Sequence, residues 1–379
     1  MNTLPPLARV PLLVLGLASL VTGVLAGLAR VGVSVPDFGA MQAGSHAALM
    51  IGAFFGTVIS LERAVALGGL WPYLGPALAG GGGVLLLLGG PLVVAQSLLL
   101  FASGVLVAGS LVVTRRQLAP FTVMLAVGAA CWLTGNLVWI ASGNLHAAVP
   151  FWLAFLVLTV AGERLELTRF LPARPAAAPS FVVVSGVILA GALIASFGTS
   201  ASGTDTLGLT LFAAGLLALA IWLLVFDIAR HTAGQHGLTR FIGICLLTGY
   251  VWLGAGAIAG LAGGFAPGHA LHDTAMHAIA LGFVFAMVFG HAAIIFPAVL
   301  KVKIPYHPFF YVPLALLHLS LALRVFGGVS ADPADGLALR QWGALANAAT
   351  LAIFIATMIA SVIRGARQPA ARSTRRRMK

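Results

Sequence analysis

Charge is what this sequence has least of. Only 8% of its 379 residues are Asp, Glu, Lys or Arg, where a water-soluble domain carries about 25%. A chain that is 60% hydrophobic, with a mean hydropathy of +1.05, cannot cover a water-facing surface of its size, which excludes a soluble globular protein. Cysteine is nearly absent too. Cys131 and Cys245 each stand alone inside an apolar run, so there is no disulfide framework, and both read as small buried fillers. The sequence also lacks a Walker phosphate loop, a dinucleotide fingerprint, a zinc-protease helix and a nucleophile elbow. Those enzyme classes therefore have no footing in it.

What is present is a series of continuous apolar runs about 20 residues long, the length a helix needs to cross a bilayer. Ten-residue alternating segments, the mark of a membrane β-barrel, are not seen. The fold class expected is an all-α integral membrane protein with twelve transmembrane helices. Their approximate spans are 8–29, 38–66, 71–89, 91–113, 118–141, 146–166, 180–198, 206–230, 239–263, 270–299, 306–329 and 338–364. The first run is long enough to span, so it reads as a helix and not as a cleaved signal. Turn chemistry marks several connections: Gly89-Gly90-Pro91, Ser142-Gly143-Asn144, Gly198-Thr199-Ser200 and Asp332-Pro333. Residues 1–364 form one transmembrane domain, and 365–379 form a basic cytoplasmic tail.

The net charge of +12 raises nucleic acid as a partner, and its distribution argues against it. With both termini in the cytoplasm, 18 of the 21 basic residues fall on the inner side. Only Arg30, Arg324 and Arg340 lie outside, together with Asp37, Asp205, Asp273, Asp332 and Asp335. This is the positive-inside pattern. It reads as a topology signal with contact to membrane lipid, in a bacterial inner (cytoplasmic) membrane.

One motif recurs. His46-Ala47-Ala48 opens an uncharged stretch that ends at Glu62-Arg63; 100 positions later His146-Ala147-Ala148 opens one that ends at Glu163-Arg164. A looser copy opens at His277-Ala278. The three copies head spans 2, 6 and 10, four spans apart, which implies three four-helix units in a pseudo-threefold arrangement. The Glu-Arg pairs sit at inner helix ends and read as ion pairs between repeats.

The ten histidines are not equivalent. His231, His236 and His307 fall in connections and read as solvated. His318 reads as satisfied by a neighbouring helix, and His291 as a polar helix contact. His46 lies about eight residues, roughly 12 Å, inside span 2, and His277 about seven residues, roughly 10 Å, inside span 10. The two helices run in the same direction, so the imidazoles are expected at one depth in the outer half of the bilayer. A polar group at that depth costs several kcal/mol if unpaired. Two neutral imidazoles at one level suit axial ligation of a heme, and Gly44, Ala47, Ala48, Ala278, Ala280 and Gly282 leave room for a flat macrocycle. The alternative is that each hydrogen-bonds within the bundle. His269, His272 and Asp273 crowd the outer end of span 10. His272 points some 140° away from His277 around the helix, so it serves a second heme or metal, or the interface; His146 is a similar case. Arg30, Arg324 and Arg340 lie where heme propionates would emerge, or pair with Asp332, Asp335 or lipid.

The run His46-Ala47-Ala48-Leu49-Met50-Ile51 resembles the second-helix motif of subunit I of heme–copper oxidases. His277-Ala278-Ile279, with Gly282 and Met287, resembles the corresponding helix of the NnrS family, twelve-helix membrane proteins linked to nitric-oxide stress and denitrification. The resemblance implies a low-spin heme, b-type, between His46 and His277, with Met50 and Gly282 beside it. It also raises copper as a second metal, although that superfamily's copper site takes an adjacent histidine pair from helix 7 or just after it, and span 7 here has no histidine. The function implied is heme-dependent binding, sensing or reduction of a diatomic ligand such as nitric oxide or oxygen, or electron transfer. If the protein turns over, it is an oxidoreductase. The competing readings are a twelve-helix transporter and a non-catalytic accessory or assembly subunit. Blocks of four helices speak against the transporter, whose repeats form two halves.

The charge distribution makes one direct prediction. A topology reporter fused after Lys379 is expected to read as cytoplasmic; an external reading would invert the side on which the histidines lie.

Overall fold

The computed structural model describes residues 3–172, 174–198 and 205–367. Among them every regular element is helical, as a chain of this hydropathy requires: only internal hydrogen bonding can satisfy backbone in hydrocarbon. The long helices are α1 (Pro6–Arg30), α2 (Ala48–Leu67), α3 (Leu74–Leu87), α4 (Leu92–Arg116), α5 (Pro120–Ser142), α6 (Leu145–Phe170), α7 (Ala177–Phe197), α8 (Thr206–Phe226), α9 (Gly237–Gly264), α10 (His272–Leu300), α11 (Pro308–Val329) and α12 (Pro333–Arg367).

Eleven of these are long and apolar enough to cross a membrane. The exception is α3. Its 14 residues reach about 21 Å, against a hydrocarbon core of about 30 Å. It is shorter than the expected span because Trp71–Tyr73 forms a separate tight turn ahead of it, and Gly89, at φ +65°, begins the turn that ends it. The protein is thus a multi-pass helical membrane protein with eleven helices of spanning length and one shorter helix.

Turn residues act where the sequence placed them. Gly143 adopts the left-handed conformation that ends α5, and the Asn144 side chain caps α6 by accepting from the His146 N–H at 2.9 Å. Asp332 accepts from the N–H groups of Ala334 and Asp335 at 2.7 and 3.1 Å, which starts α12. Of the expected 198–200 turn only Gly198 is described, and most of the 365–379 tail lies outside the described residues.

The second span departs from expectation. It is not one helix from residue 38. A short helix, Asp37–Ala40, and a tight turn, Ala43–Ser45, precede His46, which stands at the head of α2 instead of eight residues inside it. Both α2 and α10 then carry an eight-residue π-helical segment, Ala48–Phe55 and Ala278–Phe285. Each begins within two residues of its histidine, and each ends in phenylalanine. Phe54 and Phe285, eight residues after His46 and His277, stack at 6.0 Å and 9°. π-Helical turns are rare and frequent at functional sites.

Burial then identifies the centre of the molecule. In their most apolar stretches α2, α6 and α10 are 67, 78 and 67% buried, while the other spanning helices reach 50% at most. The three histidine-headed helices are therefore the interior of the bundle. Two polar contacts join them at their far ends. Arg63 donates to Glu163 at 2.6 Å, bridging equivalent positions of the first two motif copies. Arg164 on α6 approaches His291 Nε2 on α10 at 3.5 Å, while His291 Nδ1–H donates to the Met287 carbonyl at 2.8 Å.

Outer helices pair through small residues. Gly191, Gly208 and Gly215 let α7 and α8 approach backbone to backbone; a Cβ on Gly208 would run into the backbone of Ala195. Replacing Gly208 with Val is expected to cost about 1–3 kcal/mol by overpacking and to lower the thermal midpoint measured in detergent. Gly186, around which nothing lies within 4 Å of such a Cβ, tolerates the same change.

Candidate functional site

The heads of α2, α6 and α10 do not close on one another. They enclose a cavity of about 420 Å³, within the roughly 300–1,000 Å³ of ligand pockets. Its open end carries Arg30, Arg340 and the loop residues Gly268 and His269; Met50, Leu153, Leu281 and Leu351 form apolar walls, and Phe55 and Phe285 lie at the deep end. The site is amphipathic along its length, with cations at the mouth and hydrocarbon below.

Of the candidate residues named from the sequence, His46, His277, His272, His269, His146, Met50, Arg324 and Arg340 all line this cavity. Gly282 does not. A Cβ there would collide with Trp252 on α9, so Gly282 serves helix packing and not the cavity. Of the small residues expected to make room, Gly44, Ala47 and Ala280 line it. Ala48 and Ala278 are fully buried and take no part in its lining.

His46 and His277 face each other, with ring centroids 6.1 Å apart and planes 31° from parallel. The two rings thus lie at one level of the bundle. Each ring is anchored through Nδ1. His46 Nδ1–H donates to the Gly23 carbonyl of α1 at 2.7 Å, and His277 Nδ1–H to the Asp273 carbonyl one turn back at 2.9 Å. A carbonyl only accepts, so each neutral ring carries its proton on Nδ1 and keeps the Nε2 lone pair available. Gly27 makes this geometry accessible: a Cβ there would stand 2.7 Å from His46 Cε1.

A second pair has a similar separation and is anchored on one ring only. His146 and His272 have centroids 6.2 Å apart at 68°, and His272 Nδ1–H donates to the Gly264 carbonyl at 3.1 Å. His269 differs. Its Nδ1 accepts from the Leu271 N–H at 3.2 Å, which puts the proton of the neutral ring on Nε2 and leaves no lone pair to offer.

The histidines set aside from the sequence also resolve. His318 accepts at Nδ1 from the Trp252 indole at 3.0 Å, a side chain and not the expected carbonyl, while its buried Nε2 has no partner among the described residues. His231, His236 and His307 are exposed.

The arginines need one correction. Arg324 is not available to a cofactor carboxylate as its first partner. It is bound in a fork to Asp273, with Nε to Oδ2 at 2.7 Å and Nη2 to Oδ1 at 2.6 Å. Asp332 and Asp335, weighed as its partners from the sequence, are not involved; α11 packs against the first turn of α10 and so brings Asp273 to it. Arg340 and Arg30 donate only to backbone carbonyls, Gly336 at 3.3 Å and Ala43 at 3.4 Å. Among the described residues neither has a carboxylate within ion-pair distance.

Sequence reasoning missed Asn347. It lines the cavity from α12, donates to Ser320 at 2.7 Å, and its buried Oδ1 has no partner among the described residues. A lone Asn in an apolar run was the available signal. Such an unsatisfied buried acceptor calls for an explanation, and a polar group entering the cavity would supply one.

Two facing imidazoles with free Nε2 atoms can hold a metal between them. Two imidazoles holding one metal at about 2.0–2.1 Å per bond would have ring centroids no more than roughly 6.4 Å apart, and both pairs, at 6.1 and 6.2 Å, meet that limit. Among the described residues no cluster of three or more His, Cys, Asp or Glu is arranged to hold an ion. A donor set of two suits a metal that arrives with equatorial ligands of its own, and heme is such a group.

No curated protein matches the chain. The family described as "Domain of unknown function (DUF8744)" matches it over residues 9–363, nearly its whole length, and the chain belongs to that family.

Proposed function

We propose that this protein is a heme-binding membrane protein, with His46 and His277 as the axial ligands of one low-spin b-type heme. The observation that carries the reading is the facing imidazole pair: 6.1 Å between centroids, Nδ1 anchored on each ring, and Nε2 free toward the cavity. The resemblance of His46–Met50 to the heme–copper oxidase motif, and of the His277 region to the NnrS family, points the same way. When bound, the heme would supply a one-electron couple; nitric oxide or oxygen would reach its iron only by displacing one of the histidines, so the function we infer is redox chemistry, with electron transfer first and handling of nitric oxide or oxygen second.

The residues divide the work by chemistry. His46 and His277 would hold the metal, and the Gly23 and Asp273 carbonyls orient them. Met50, Leu281 and Leu351 line the cavity and would exclude water. Arg30 and Arg340 also line it and would take the carboxylates of the bound group, which a guanidinium fork suits. His146 and His272 form the second position at which a metal, copper included, would be held by the same kind of pair. His269 lacks the free lone pair for this role.

The same reading extends to topology. We infer twelve crossings with both termini in the cytoplasm of a bacterial inner membrane, supported by the charge distribution. We also infer a pseudo-threefold arrangement, supported by contact of α2, α6 and α10 with one another in all three pairings through His46–His277, His146–His272 and Arg63–Glu163.

The test is the reduced absorption spectrum of membranes holding equal amounts of each variant. Sharp low-spin bands are expected in the wild type and in His318→Ala, whose ring is committed to Trp252. They are expected to fall at least tenfold in His46→Ala and in His277→Ala. Retention of the wild-type spectrum in either ligand variant would reject the assignment. Arg30→Gln with Arg340→Gln is expected to keep the band positions and lower the heme content.

A further inference from the structure

His46 and His277 face each other across the same gap, but they are not held alike. His46 Nδ1 has a single neutral partner, the Gly23 carbonyl at 2.7 Å. His277 Nδ1 has two partners on one residue: the Asp273 carbonyl at 2.9 Å and, beside it, the carboxylate oxygen Oδ1 at 3.2 Å. That carboxylate is gripped from the other side by Arg324, at 2.6 and 2.7 Å. Among the described residues no carboxylate lies within ion-pair distance of His46.

We propose that the Arg324–Asp273 ion pair is a positioning device for His277, fixing its Nδ1–H tautomer, aiming Nε2 into the cavity and making it the stronger donor of the two facing imidazoles. Asp273 and Arg324 are positioning residues, since each acts through the ring. A carboxylate on the distal nitrogen of a metal-binding imidazole fixes the tautomer and raises ligand basicity. The elements carrying the device are themselves fixed. Asp273 sits in the first turn of α10, where the helix dipole favours an anion. Arg324 lies in a close α11–α12 crossing; a Cβ on Gly343 would fall 2.7 Å from the Arg324 backbone nitrogen. With Asp273 thus held on two sides, its Oδ1 has no freedom to leave His277.

A purely structural ion pair between α10 and α11 is the competing account. It has little to recommend it on energetic grounds, because burying two charges recovers little net stability compared with apolar side chains of similar size. The two accounts also differ in what they do to the imidazole, and this can be read directly.

The inference rests on the heme reading only for its redox consequence, so the experiment has two arms. In the first, protein with ¹⁵N-labelled histidine and no added hemin is compared by NMR with Asp273→Asn; His277→Gln identifies the His277 signals. Wild-type His277 is expected as a single Nδ1–H tautomer with a downfield Nδ1–H proton. Asp273→Asn should move that proton upfield and leave His46 unmoved. An Nε2–H tautomer in the wild type, or a His277 signal indifferent to the substitution, overturns the proposal.

In the second arm both proteins are titrated with hemin and their midpoint potentials compared. Asp273→Asn is expected to raise the potential, because a less electron-rich axial ligand stabilises ferric iron less. Loaded proteins with equal potentials overturn the proposal. If wild-type protein takes up no hemin, the heme reading fails and the NMR arm decides the positioning role alone. Should Asp273→Asn leave Arg324 buried without a partner and unfold the protein, the double variant Asp273→Asn/Arg324→Gln removes both charges together; the same two readings apply to it.

Discussion

A nitrogen lone pair sunk among apolar helices has to be given something to bind, and the heads of α2, α6 and α10 are arranged around that demand. Leaving such a group unmatched costs several kcal/mol, and here four imidazoles face one cavity in two pairs at about the same separation. Three of the four rings, those of His46, His272 and His277, have one nitrogen already satisfied by a backbone carbonyl. What remains unsatisfied converges on the cavity: the free Nε2 atoms, the Asn347 acceptor and the two mouth arginines. Helix ends, tight turns and π-helical segments all serve to bring these groups to one level.

The opposite ends of the same three helices answer the problem differently. There polar groups meet one another, Arg63 with Glu163 and Arg164 with His291. The heads of the same helices instead line the cavity. One repeated motif beginning with His-Ala and ending with Glu-Arg thus places a cavity at one end of these helices and contacts between them at the other.

Much of this was legible in the sequence, for identifiable reasons. Long apolar runs leave a lipid-exposed chain no choice but helix, so the helices were found within a few residues, except at the head of the second span. The Glu-Arg pairs closing the first two motif copies were expected to make ion pairs between repeats, and Arg63–Glu163 is one; a histidine early in each of two parallel helices implied the His46–His277 pairing. Other features had no local signature. Nothing in Ala48–Phe55 or Ala278–Phe285 distinguishes π from α geometry. The break before His46 arises because Gly39 lets Asp37–Ala40 tuck against Leu25 of α1, a tertiary effect. Gly282 looked like space for a macrocycle because a glycine's neighbour across a helix interface is invisible in one sequence; that neighbour is Trp252. Arg324 was grouped with Arg30 and Arg340 from the sequence and lines the same cavity as they do, yet its partner Asp273 could be found only once α11 was laid against the first turn of α10.

The paired π-helical segments carry a consequence for how this chain can change. Each accommodates its hydrogen bonds between residues five apart instead of four, so it holds more chain per turn than the helix on either side. Removing a single residue from Ala48–Phe55 would let that stretch relax to ordinary α-helix with the turns beyond it kept in register, while the side chains inside it, Phe54 and Phe55 among them, would shift relative to His46. The same holds for Ala278–Phe285, where Phe285 would shift relative to His277. Both stretches should therefore accept exchanges of one apolar side chain for another, yet resist any change in length. Length invariance at these two stretches, more than the identity of any residue within them, is the trace this architecture would leave on sequences that share it.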